Sequence, residues 1–114
     1  GKDLEHRREE LKKLYEQYIG PYELYHNATI DVAMRALASY DEGQRLERME
    51  MLAELYYAEA DTVTGPDRNF LLDKAFNLFS FIERNGKTFS MDRRYKMALI
   101  EQRMKKCSGK TRCE

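Results

Sequence analysis

The sequence predicts an all-α, single-domain bundle of about five helices, mostly antiparallel and arranged around a central helix from Pro66 to Asn85. Three observations predict it. Charged residues make up 35% of the chain and hydrophobic ones 42%, with 8 Tyr, 5 Phe, no Trp and only 2 Pro, a composition suited to packed helices rather than to disorder. Second, at about 100° per residue Asp73, Asn77, Ser80 and Arg84 form one narrow polar stripe. Phe70, Leu71, Leu72, Ala75, Phe76, Leu78, Phe79, Phe81 and Ile82 occupy the rest of the circumference. A helix apolar over most of its surface must be covered on several sides. Third, Gly and Pro punctuate the chain at intervals that leave short connections, which favour antiparallel neighbours.

The central segment has marked ends. Pro66 suits a first helical turn, because its missing N–H would be unpaired there, and Gly86 after Asn85 is placed for a left-handed cap. Its length is about 20 residues, or roughly 30 Å.

In chain order, Asp3 to Ile19 reads as the first helix. Leu4, Leu11, Leu14, Tyr15, Tyr18 and Ile19 lie on one side, and the charges from Glu5 to Lys13 on the other. Gly20 and Pro21 interrupt it, since Pro removes a donor and biases the preceding residue away from helix. Leu11, Tyr15, Tyr18, Tyr22, Tyr25 and Thr29 continue one spacing through the break, as a single kinked helix also would; two separate helices are the favoured reading. The second helix runs from Pro21, or from an Asn27 cap, to Asp41, with Ile30, Ala33, Leu37 and Tyr40 inward and Gly43 as its stop. The third, Gln44 to Asp61, places Leu46, Met49, Ala53, Tyr56 and Ala60 on one stripe and Met51 and Leu55 on another. After Gly86, Ser90 caps a last helix from Met91 to Cys107, where Met97, Ile100, Met104 and Cys107 share a face. Residues 108–114 read as a flexible tail.

The 114 residues fit one domain, residues 1–114. Gly1 before Lys2 reads as the remnant of a cleaved tag. No apolar run approaches the roughly 20 residues of a membrane span. An exported location, periplasmic or otherwise, is favoured over a cytoplasmic one. Cys107 and Cys113 agree with it: a bridge between them needs the chain to turn, which Ser108 and Gly109 permit, although two free thiols fit the spacing as well.

The search for chemistry is mostly negative. Asp3 with His6 and Glu23 with His26 have the acid-x-x-His spacing of di-iron bundles, but a reversal at Gly20 and Pro21 sets the pairs roughly 25 Å apart. Both histidines therefore read as surface residues, and Glu47, Glu50 and Glu54 as a solvated face. Ser39, Ser80 and Ser90 have no base in sequence context, and no glycine-rich turn offers a phosphate or oxyanion cradle. No residue is therefore expected to be catalytic, metal-ligating or cofactor-binding, and no cofactor is expected.

Net charge is zero but unevenly spread: Asp41 to Asp61 holds seven acids and two bases, Asp92 to Glu114 eight bases and three acids. Gathered on one face, those bases would suit nucleic acid. Arg93, Arg94, Lys96, Arg103, Lys105 and Lys106 instead surround the helix, which fits attraction to the acidic third helix or between protomers. Tyr15, Tyr18, Tyr22 and Tyr25, large rings with polar tips, are the candidate partner-binding residues, with capping of one end of the core as the competing role. The expected function is a non-enzymatic protein–protein interaction or assembly module, in the setting of an exported accessory component of a larger bacterial complex. A small nucleic-acid-associated regulator acting through the basic last helix is the alternative.

Overall fold

The computed structural model describes residues 2–108, and the side chains of residues 3–104. Six helices follow one another: α1 (Lys2–Tyr18), α2 (Tyr22–Asn27), α3 (Ile30–Leu37), α4 (Glu42–Ala60), α5 (Gly65–Asn85) and α6 (Met91–Ser108). The fold is the all-α bundle that the pattern predicts. Gly1 and Cys113 lie outside the described residues, as does the expected tail apart from Ser108, which ends α6.

The chain does break at Gly20 and Pro21, so α1 and α2 are separate helices. Gly20 is needed for space there, because a Cβ would lie 2.9 Å from Cε2 of the Tyr25 ring. The expected second helix is itself divided. Ala28 and Thr29 are extended, and the Thr29 hydroxyl accepts from the Val32 N–H at 3.4 Å, so the chain stops at Asn27 and restarts at Ile30. That makes six helices rather than five. Gly43 is not a stop: α3 ends at Leu37, a turn follows, and Gly43 sits in the first turn of α4.

Pro66 occupies the first turn of α5 as expected. Gly86 does not adopt the left-handed cap; its φ of −84° and ψ of 165° are extended. Glycine is required for another reason, since a Cβ would come within 2.7 Å of the Ile82 carbonyl oxygen, the acceptor for the Gly86 N–H.

Helix α5 lies at the centre, burying Leu71, Leu72, Ala75, Leu78, Phe79 and Ile82, and α4 shares that position with Leu52, Ala53, Leu55, Tyr56 and Ala60. Phe76 and Phe81 are half-buried and Phe70 is exposed, so the sheath is less complete than the sequence implies. Long-range contacts fix the directions. Arg8 reaches the Thr62 carbonyl and Arg48 the Tyr18 carbonyl, which sets α1 antiparallel to α4. Arg93, Lys96 and Arg103 meet Glu50, Glu54 and Asp61 in order, so α6 runs parallel to α4. The expected attraction between the acidic and basic helices is thus realised within the chain. Among the described residues no helix is long and apolar enough to cross a membrane.

Candidate functional site

Two features bear on function: a polar cluster inside the bundle and an apolar groove on its surface. The cluster centres on Glu59, whose side chain is only 5% exposed. The Tyr15 hydroxyl donates to its Oε1 at 2.6 Å, the Tyr22 hydroxyl to its Oε2, and His26 Nδ1 lies 2.8 Å from Oε2. The α1–α2 break makes this possible, since it folds α2 back until Tyr22 meets the Tyr15 ring edge-on at 5.0 Å. Burial, reinforced by the Glu59 charge, pushes the Tyr15 hydroxyl far above its ordinary pKa; burial and the Glu59 hydrogen bond raise Tyr22 as well.

Beside it, Lys74 is 1% exposed. Its Nζ donates to the carbonyls of Tyr25, His26 and Ala28 at 3.2, 3.0 and 2.8 Å, and sits over the Tyr56 and Phe70 rings. Tyr25 and His26 lie in the last turn of α2 and Ala28 just beyond it, so a lysine from α5 caps the helix end, and the Tyr56 hydroxyl donates to the Tyr25 carbonyl as well at 2.6 Å. Burial pushes the Lys74 ammonium down to about 8, against the pull of Glu59. The group still carries its proton at neutral pH.

Glu59 is sealed behind Tyr15 and saturated with donors, and the Lys74 ammonium is spent on three carbonyls. Neither group has a face open to a substrate. His6 pairs with exposed Glu10 and His26 with Glu59, so the two acid-x-x-His spacings do not converge. Among the described residues no group of three His, Cys, Asp or Glu side chains could hold a metal.

The groove lies between α1 and α4, about 260 Å³ in volume, lined by Leu14, Tyr18, Met51, Glu54 and Leu55. Glu54 turns its carboxylate toward Lys96. Arg48 donates to the Tyr18 carbonyl at 2.6 Å, fixing the last turn of α1 beneath the Tyr18 ring. No family model, curated protein or solved structure matches the chain.

Of the four tyrosines singled out as a partner surface, Tyr15 and Tyr25 are buried at 0% and 4% and Tyr22 is half-buried, so these three pack the interior. For these three the competing role, packing one end of the core, is the one the fold realises, because the fold-back of α2 turns Tyr22 and Tyr25 inward with Tyr15. Tyr18 alone remains well exposed, at 39%, beside exposed Leu14.

Sequence reasoning missed Glu59, Lys74 and Arg93. Each continues an apolar stripe: Leu52–Tyr56–Glu59, Leu71–Lys74–Leu78, and Arg93–Met97–Ile100. A charge in helical register with core residues is the signal that could have found them. Arg93 is held by Glu50, Glu83 and the Thr88 carbonyl; burial works against its charge, but the two carboxylates outweigh that and raise its pKa. With Lys96 bound to Glu54 and Arg103 to Asp61, three bases available to the nucleic-acid reading are already engaged inside the chain.

Proposed function

We propose that this chain is a non-enzymatic protein–protein interaction module that receives an apolar side chain of a partner protein in the groove beside Tyr18. The observation that carries the reading is the groove itself, a concave, apolar surface held by α1 and α4 and flanked by an exposed tyrosine. Tyr is favoured at binding surfaces because it gives large contact area with little ordering cost, and Met because its flexible, polarisable side chain adapts to what it meets. The internal polar groups support it from the other side, since they are consumed in positioning α2. The partner contributes a Leu- or Met-sized group, because about 260 Å³ accommodates one or two such side chains rather than a folded element.

A photoreactive phenylalanine at position 18 should yield a discrete adduct in the native host, whereas one at exposed Glu9 should not. With the captured partner purified, Tyr18→Ala and Leu14→Glu should each weaken binding at least tenfold while leaving the unfolding midpoint nearly unchanged. Undiminished binding by both variants would reject this surface. Salt-sensitive binding of duplex or single-stranded DNA would instead favour a basic-helix regulator.

A further inference from the structure

Helix α6 buries a cation and leaves an apolar stripe in water. Its inward side carries Arg93, Lys96, Met97 and Ile100, while Met91, Tyr95, Ala98 and Gln102 face outward at i, i+4, i+7 and i+11. Phe89, Met91 and Tyr95 are 63%, 74% and 64% exposed, the three most exposed large hydrophobic residues among those described. The inward cations are paired within the chain, but a monomer gains nothing from holding Phe89, Met91 and Tyr95 together in water, so this face is built for contact.

The charges beside the stripe indicate what covers it. Arg94 and Glu101 lie two turns apart on one flank, Asp92 and Arg103 three turns apart on the other, and both pairs are centred between Met97 and Ala98. When two copies of a helix pack antiparallel about a two-fold axis, equal flanks meet, so opposite charges centred on one point become complementary across the axis. Arg94 then faces the partner's Glu101, and Asp92 faces the partner's Arg103. Ala98 at the centre permits close approach.

A second feature fits the same geometry. Between α5 and the C-terminal half of α6 lies a groove of about 630 Å³, with Phe76, Ile100 and Met104 on its walls and Asp73 and Glu101 among its lining residues. It opens on the Arg94–Glu101 flank. The exposed Phe89 ring carries the Arg94 guanidinium 4.8 Å above it, giving an apolar plate with a positive edge. The groove offers apolar walls and acidic groups, and the antiparallel arrangement brings the two together.

We propose that two copies of this chain associate antiparallel through the outward faces of α6, each seating its Phe89–Arg94 pair in the groove of the other. Arg94, Asp92 and Arg103 are themselves exposed, so the contacts they make within the chain, to Glu83, Lys96 and Asp61, are shared or exchanged on association. One helix face and one groove per protomer bury on the order of 1,000 Å² in total, the lower end for specific complexes, so the dimer is weak and concentration-dependent. This face is distinct from the Tyr18 groove, and the inference does not rest on that reading.

Sedimentation velocity over roughly 5 to 500 µM should show a monomer–dimer equilibrium, weakened as salt shortens the Debye length from about 10 Å at 0.1 M to about 3 Å at 1 M. Arg94→Glu and Glu101→Arg should each abolish the dimer while staying folded by circular dichroism, Arg94→Glu with a lower unfolding midpoint because it loses Glu83. Mixed in equal amounts they should form a heterodimer, because each restores an opposite charge to the other. A wild type that stays monomeric throughout, or a mixture that stays monomeric while the wild type dimerises, overturns the proposal. So does an Arg94→Glu variant that dimerises as well as the wild type.

Discussion

Replacing Arg93 with Met should detach α6 from the bundle at a cost that can be worked out from its contacts. Its side chain is 2% exposed, with Nε 2.8 Å from Glu83, Nη1 3.0 Å from Glu50 and Nη2 donating to the Thr88 carbonyl at 2.8 Å. Removing one partner of a buried pair costs about 3–5 kcal/mol, mostly because the other charge is left without compensation. Here the lower end applies, since Glu83 is 15% exposed and Glu50 is 38% exposed and rehydrates readily. The orphaned Thr88 carbonyl adds about 1 kcal/mol, and about 1 kcal/mol returns from the buried Met. The net loss is about 3 kcal/mol, a large share of the 5–15 kcal/mol typical of such domains, and lowers the melting temperature by about 10 °C. Urea unfolding followed by circular dichroism measures it, and amide exchange should show α6 opening before α1. The double variant Arg93→Met with Glu83→Leu removes both charges and should recover part of the loss. A single-variant cost below about 1 kcal/mol, or strictly additive effects, would refute the assignment of Arg93 as the bolt between α4, α5 and α6.

Three further outcomes follow from the interior. Glu59→Leu leaves the Tyr15 and Tyr22 hydroxyls without their acceptor and should cost about 3 kcal/mol, with Tyr15→Phe in the same chain recovering part of it in urea titrations. Lys74 releases its proton near pH 8 when folded and near 10.5 when unfolded, so the unfolded chain holds more protons in that window and stability rises with pH across it. Lys74 should contribute about 2 kcal/mol between pH 8 and 10, read as the growing difference between the wild type and Lys74→Met; the raised Tyr15, Tyr22 and Tyr56 hydroxyls offset part of it and reverse the net slope close to pH 10, because the folded chain then retains the extra protons. Gly86→Ala should cost about 1–3 kcal/mol by calorimetry, because its Cβ meets the Ile82 carbonyl oxygen, and a neutral result would mean that the turn shifts without penalty.

The all-α class and the marks at Pro21, Pro66 and Ser90 were legible because they rest on local physics: apolar period, the missing donor of Pro66, and the Ser90 hydroxyl that accepts from the Arg93 N–H; the break at Ala28 and Thr29, and the roles of Gly43 and Gly86, were not. The charge asymmetry between α4 and α6 was legible too, and it became Arg93–Glu50, Lys96–Glu54 and Arg103–Asp61. What the pattern hid is long-range. Periodicity reports which residues share a face and is silent on what that face meets, so Glu59 looked like one more carboxylate of an acidic helix until Tyr15 and Tyr22 were placed against it. The four tyrosines show the same limit. Their spacing is regular, but the turn between Tyr18 and Tyr22 sends part of the series inward and leaves Tyr18 outside.

A polar interior of this kind has a cost that apolar side chains would avoid, so its role is better sought in what it positions than in stability. Helix α2 has six residues, too few to persist alone. Glu16 accepts its Tyr22 N–H at one end, Lys74 gathers the carbonyls at the other, and Glu59 holds its side through Tyr22 and His26. The turn thus pinned is the continuation of the α1 end that carries Tyr18, and the Tyr40 hydroxyl and Arg48 clasp the carbonyls of Ile19 and Tyr18 on the same stretch. Weakening the network without removing its shape should therefore loosen the presentation of Tyr18 before the bundle unfolds. Glu59→Gln keeps one acceptor and the volume while losing the charge. In that variant amide exchange in α2 should accelerate about tenfold or more while α4 and α5 keep their protection, and equal acceleration everywhere would show that the network supports only global stability.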